Sequence, residues 1–271
     1  TIVPNFIISQ LIVLAPALIG VLLSGENLLK LVGFRKIKIS SVLMIVLFTF
    51  LAMPLTTVIN AVSMLFVDNT VVAISGDILE IPFFVMLFII GFIGPFCEEL
   101  IFRGIIYQGY KKSGTGLQAL LLSALLFALM HMNFNQAAYA LVIGMILVVL
   151  VEATGSLWSS VLFHIIFNSQ QVCLMYLYKA MGMESFEEAQ AQITPDIMLT
   201  AISGYLIIAA VTTTLAGCVL AWIAKNEKRE ENLRAVWTAR KNKTGIPMIT
   251  VPLLIAIVLS LSYMSLDFIL Y

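Results

Sequence analysis

Residues 81–112 read IPFFVMLFIIGFIGPFCEELIFRGIIYQGYKK. The apolar run 81–108 exceeds the about 20 residues that an α-helix needs to cross a bilayer, and it closes on Lys111 and Lys112. Its middle nevertheless carries Glu98, Glu99 and Arg103. Ionisable side chains at that depth cost several kcal/mol, so a spanning segment that keeps them points to function. One stretch thus suggests both that the bilayer is the solvent and where the chemistry lies.

Outward from this run the pattern repeats. Further apolar stretches fall at 3–25, 41–67, 116–132, 135–152, 157–178, 198–224 and 247–270. The first is read as a spanning helix rather than a signal peptide, since no small-residue cleavage site follows it. The fourth and fifth spans are short and parted only by an Asn133-Phe134-Asn135 turn. None of the stretches shows the alternation of a membrane β-strand. The fold class is therefore all-α: a polytopic membrane protein of about eight transmembrane helices in one bundle, with the active site inside the bundle. No repeat or low-complexity linker divides the chain, so residues 1–271 read as a single transmembrane domain.

Composition agrees. Of the 271 residues 61% are hydrophobic and 11% charged, and the mean hydropathy is +1.05. A soluble domain carries about 25% charged residues, so a soluble enzyme, a disordered chain and a nucleic-acid binder are excluded. Net charge is zero. Cys97, Cys173 and Cys218 lie apart in apolar runs and form no CxxC pair.

The connecting segments differ in charge. Lys30, Arg35, Lys36 and Lys38 follow the first helix, and Lys111 and Lys112 the third. Lys225, Lys228, Arg229, Arg234, Arg240, Lys241 and Lys243 follow the seventh. Asp68, Asp77 and Glu80 follow the second helix, and Glu184, Glu187, Glu188 and Asp196 the sixth. Basic loops prefer the cytoplasm. Eight helices with both termini outside put every basic residue except Lys179 on the inner side, or, for Arg103, in the inner half of a helix. The cluster after the seventh helix reads as a solvated loop within reach of anionic head groups.

The ionisable groups expected within spans are Glu98, Glu99, Arg103, His131, Glu152 and His164, with Asn168 beside them. Glu99 and Arg103 stand four apart and share a helix face. Glu98 is offset by roughly 100° at 3.6 residues per turn, which frees it to point elsewhere. Phe127 and His131 share a face of the fourth helix, and His164 and Asn168 of the sixth. Counted from the basic ends, Glu98, His131 and Asn168 each lie roughly 20 Å along their helices at 1.5 Å per residue, with His164 one turn lower. Three helices thus bring polar groups to a common level. A carboxylate that accepts a proton from water, an imidazole that holds the water or protonates a leaving amine, and donors for an oxyanion make a hydrolytic set. Glu152 reads as an interfacial residue on the inner side.

Three rivals are weaker. Cys97 adjoins Glu98 but faces a different side of the helix, and a buried free cysteine is usually an apolar filler. The Gly-x-Ser-Gly signature of serine intramembrane proteases is missing; Ala73-Ile74-Ser75-Gly76 and Ala201-Ile202-Ser203-Gly204 lack the first glycine. Proton-coupled transporters often show internal repeats and correspondingly broken helices, and neither is found.

Glu98-Glu99-x-x-x-Arg103, Phe127-x-x-x-His131 and His164-x-x-x-Asn168, with Gly155-Ser156-Leu157-Trp158 before the last, resemble the signature motifs of the CPBP (Abi) family of intramembrane proteases, which includes CAAX prenyl protease 2. The resemblance covers a catalytic core of about 81–172, and the close spacing of His131 and His164 looks like its compact prokaryotic branch. It implies an intramembrane endopeptidase that removes the C-terminal tripeptide of prenylated CAAX-type proteins or processes other membrane-associated peptides. By motif position Glu98 and His131 activate water, His164 and Asn168 stabilise the oxyanion, and Glu99 and Arg103 brace the helix. No cofactor is favoured, because no compact HExxH-type spacing is present. Zn²⁺ is the alternative, and in a metalloprotease its ligands would be Glu98, His131 and His164. The implied partners are membrane lipids and a peptide or lipidated-protein substrate, with no nucleic acid. The implied location is integral to a prokaryotic cytoplasmic membrane. The other function class is a non-catalytic membrane scaffold or bacteriocin-immunity protein that keeps the fold.

Overall fold

A computed structural model describes residues 2–69, 71, 74–182, 194–238 and 247–270, and every regular element among them is helical. In chain order these are α1 (Ile2–Leu23), α2 (Leu28–Val32), α3 (Ile39–Ser63), α4 (Ser75–Leu79), α5 (Phe83–Ser113), α6 (Gly116–Met130), α7 (Phe134–Thr154), α8 (Leu157–Ala180), α9 (Pro195–Asn226), α10 (Glu230–Ala235) and α11 (Val251–Leu270). Seven of the described helices are long and apolar enough to cross a membrane, and α6, with 15 residues, is a shorter apolar one. The all-α polytopic reading holds. Glu184, Glu187, Glu188, Arg240, Lys241 and Lys243 lie outside the described residues.

Ends of the helices meet in two layers. At one end Lys38 donates its backbone N–H to Glu227 at 3.1 Å, Ser156 Oγ donates to the Arg35 carbonyl at 2.5 Å, and Lys112 pairs with Glu26. At the other end Tyr176 Oη donates to the Ile78 carbonyl at 3.0 Å and Lys179 Nζ to that of Leu79 at 2.6 Å. The described basic connections gather in the first layer as their alternation along the chain requires, and Lys179 is the expected exception.

Side chains sort by solvent. Leu22, Leu23, Ile207 and Ile269 are more than 70% exposed, as lipid-facing residues are in a bundle whose solvent is hydrocarbon. The central core joins Ile45, Phe48, Phe102, Phe127, Leu147, Phe163 and Ile223 from α3, α5, α6, α7, α8 and α9. Small residues bring α6 and α7 together: a Cβ on Gly144 would stand 2.9 Å from the Ala124 Cα, the close approach on which helix association in lipid depends.

Three expectations change here. First, α5 is not uniformly α-helical, because Ile89–Ile93 and Leu100–Ile106 wind as π-helix on either side of Gly94–Glu99. Pro95 supplies the reason for the first stretch: it has no N–H and its ring crowds the carbonyl four residues back, so the turn before it widens and Gly94 donates to Ile89 instead. Second, the α6–α7 turn is Met132 and Asn133 rather than 133–135. Met132 takes a left-handed φ of 53°, Asn133 caps α7 by accepting the Gln136 N–H at 2.9 Å, and Asn135 is already helical. Asn135 is fully buried and donates to Asn60 Oδ1 at 3.0 Å and Ser63 Oγ at 2.7 Å, tying α7 to α3. Third, Glu152 keeps its place near the inner end of α7 but is not solvated there. It is 2% exposed, accepts from Tyr107 Oη at 3.0 Å and pairs with Lys111. A carboxylate removed from water requires such partners, and they come from α5, whose apolar run hid them.

Candidate active site

The site is built on the middle of α5. Glu99 and Arg103 share a face across one turn, and Arg103 Nη1 lies 2.8 Å from Glu99 Oε1, with both side chains fully buried. The guanidinium carbon stands 4.2 Å above the centroid of the Phe127 ring, a cation–π contact of the kind that gains strength without water. Phe127 in turn meets both histidines edge to face, His131 at 5.0 Å and His164 at 5.8 Å. One phenylalanine therefore sets the spacing between arginine and imidazoles.

Glu98, one residue earlier, faces elsewhere. Its side chain is 12% exposed where that of Glu99 is sealed. Glu98 Oε2 lies 3.7 Å from His164 Nε2, and His164 Nδ1 lies 2.9 Å from Glu99 Oε1. His164 thus stands between two carboxylates. Since a carboxylate only accepts, Nδ1 carries a proton and Nε2 is the atom turned to Glu98. The bracing by Glu99 reaches further than its spacing to Arg103 suggested, because the same oxygen also fixes the His164 ring.

His131 caps the C-terminus of α6 rather than lying within it. Its Nδ1 lies 2.9 Å from the Phe127 carbonyl. That carbonyl can only accept, so in the neutral ring Nε2 keeps its lone pair.

Asn168 has a role that the sequence did not announce. Its Nδ2 donates to the Ile90 carbonyl at 3.2 Å, and Ser169 Oγ approaches the Gly91 carbonyl at 3.5 Å. Both carbonyls lie in the first π-stretch of α5, where Pro95 has no N–H to offer. In lipid a freed carbonyl must find a partner from a neighbouring helix, and α8 provides it. Pro95 within an apolar span was the available signal.

Glu98, His131, His164 and Asn168 all line one cavity of about 720 Å³. Glu99, Arg103 and Cys97 do not line it. The sequence reading missed the amides of its upper wall, Asn60, Gln136, Gln170 and Gln171, because an amide within an apolar run costs less than a charge and so stands out less. The described residues contain no group of three or more His, Cys, Asp or Glu side chains disposed to hold a metal ion. Glu98, His131 and His164 do not form such a group, although each histidine spends only Nδ1 on a protein acceptor and keeps Nε2.

With this geometry in place, residues 80–170 match the family described as Rce1-like, type II CAAX prenyl endopeptidase. This segment is Rce1-like. The match bears out the resemblance read from the three motifs. The Rce1-like segment begins just before α5 and ends within α8, so it contains every polar residue of the cavity floor. No curated protein and no solved structure matches the chain.

Proposed function

We propose that the protein is an intramembrane endopeptidase that cleaves a membrane-associated peptide with water activated by Glu98 and His131. The observation that carries this reading is the meeting of Glu98, His131, His164 and Asn168 around one cavity within the Rce1-like segment.

The chemistry follows from the donors and acceptors. Glu98 takes a proton as the water oxygen bonds to the scissile carbonyl carbon. Negative charge then develops on the carbonyl oxygen, where the second N–H of Asn168 donates to it and, with the His164 ring in its imidazolium form, His164 Nε2–H does so as well. Glu99, hydrogen-bonded to the far nitrogen of His164, holds the ring in the donating orientation and balances its charge. As the C–N bond breaks, the leaving nitrogen receives the proton from Glu98 or through His131 Nε2, whose ring the Phe127 carbonyl keeps in place. The products are a free carboxylate and a free amine, with no external reactant beyond water.

Prenylated CAAX-type tails are the substrate class that the family match favours, and other membrane-associated peptides fit the same cavity. The test is cleavage of a farnesylated CAAX peptide and of its unprenylated counterpart by detergent-purified protein. The expected result is release of a C-terminal fragment that is lost in Glu98→Ala and in His131→Ala while both variants keep the thermal stability of the parent. Retained cleavage in either variant overturns the assignment of that residue. Absence of cleavage of both peptides by folded parent protein overturns the reading for these substrates.

A further inference from the structure

The cavity has a direction. On α3 its lining covers residues 50–60 of 39–63, on α7 136–143 of 134–154, and on α8 it climbs from His164 to Tyr178 of 157–180. In each helix the lining stops at the level of the ionisable floor and extends only toward the end remote from the basic connections. The far rim adds Asn69, Val71 and Ser75 from beyond α3 and Tyr205 from the early part of α9.

Beneath the floor the helices pack tightly, and the groove that opens on the basic face, lined by Glu26, Asn27, Lys30 and Lys112, shares no lining residue with the cavity. Arg103 and Glu99 are fully buried there, as are Ser156, Ser159 and Ser160 at the start of α8. Val32 of α2 fits so closely against Gly104 that a Cβ on the glycine would lie 3.0 Å from its methyls. Leu157 donates its N–H to the Gly33 carbonyl at 3.2 Å. Asn226 of α9 donates to Ser41 of α3 at 2.8 Å. No described residue of this layer lines the cavity.

The rim is also wettable. Asn69, Gln170 and Gln171 stand among its lining residues, and Gln171 is exposed. Amides on a lipid-facing wall would lack partners, whereas around an aqueous mouth they are solvated and can hydrogen-bond an extended peptide backbone.

Basic connections mark the cytoplasmic side. Among the described residues Lys179 is the lone lysine or arginine at the cavity end, and it is tied to the Leu79 carbonyl. We propose that the catalytic cavity opens to the extracytoplasmic side, so that of the two substrate classes named above its substrate is the membrane-associated polypeptide segment, presented at that face, and the prenylated cytoplasmic tail is set aside. This takes the proteolytic reading as given for what enters, but the direction of opening is a separate claim with a separate test.

That test is cysteine accessibility in the intact membrane. With Cys97, Cys173 and Cys218 replaced by serine, single-cysteine variants Gln171→Cys and Asn69→Cys report the rim, and Lys36→Cys reports the basic layer. Cells expressing each are treated with a membrane-impermeant maleimide before and after permeabilisation. The expected result is labelling of the rim variants in intact cells and of Lys36→Cys only after permeabilisation. Rim labelling confined to permeabilised cells, or labelling of Lys36→Cys in intact cells, overturns the orientation. A rim that resists the probe under both conditions overturns the aqueous mouth. Peptide cleavage in detergent, where both faces are open, is indifferent to direction, so a failure there counts against the protease and not against the orientation.

Discussion

Glu98 and Glu99 are adjacent, chemically identical and differently placed. Glu99 is enclosed, shared between Arg103 and His164, while Glu98 borders the cavity. Removing Glu99 leaves a buried guanidinium without a counterion and a histidine without its anchor. Loss of one partner of a buried ion pair costs about 3–5 kcal/mol, so Glu99→Ala is expected to lower both thermal stability and turnover. Glu98→Ala is expected to lower turnover alone. Thermal unfolding of the two variants in one detergent distinguishes them, and equal stability would remove the bracing role. The division of labour was legible in the sequence, since a four-residue spacing to Arg103 singles out Glu99. The link from Glu99 to His164 was not, because it joins residues 65 apart across two helices and no local pattern encodes it.

Among the elements, α6 and α7 behave as one unit. Gly144 lets α7 approach the Ala124 backbone, and the left-handed Met132 then turns the chain at once so that His131 sits at the end of its helix. A methyl at Gly144 would overlap a backbone atom that cannot rotate away. Overpacking of this kind costs typically about 1–3 kcal/mol, and Gly144→Ala is expected to destabilise the protein and to reduce turnover as His131 shifts from Glu98. A variant with full stability and activity would show that the two helices can part without disturbing the site. Apolar runs predicted the existence of α6 and α7 well, because burial in lipid demands it of any spanning segment. They predicted the turn poorly: of the three positions 133–135, Asn133 is the cap, Phe134 already opens α7 and Asn135 is a buried hydrogen-bonding group. The π-stretches of α5 were missed for a related reason, as hydrophobicity does not register how tightly a helix winds.

At the scale of the whole molecule, charge asymmetry and cavity direction concern the same axis, and the sequence supplied the first while only packing supplied the second. Glu152 marks the limit of the charge argument, since counting it with the solvated end overlooked Tyr107 and Lys111. The internal pairing of α5 also bears on how the chain enters the membrane at all. Glu99 and Arg103 belong to the same helix and meet one turn apart, so their salt bridge needs no other element and can close as soon as that turn forms. A lone charge at a helix centre costs about 2.5–3.5 kcal/mol during translocon-mediated insertion, and α5 would otherwise present three. Deleting one charge should therefore make partitioning worse, not better. In a glycosylation-mapping assay with residues 83–113 as the test segment, Glu99→Ala is expected to insert less efficiently than the parent although it is the more hydrophobic sequence. Improved insertion would mean that the bridge forms only after the helices assemble. With the bridge made early, biogenesis of the catalytic helix is independent of the order in which its neighbours arrive.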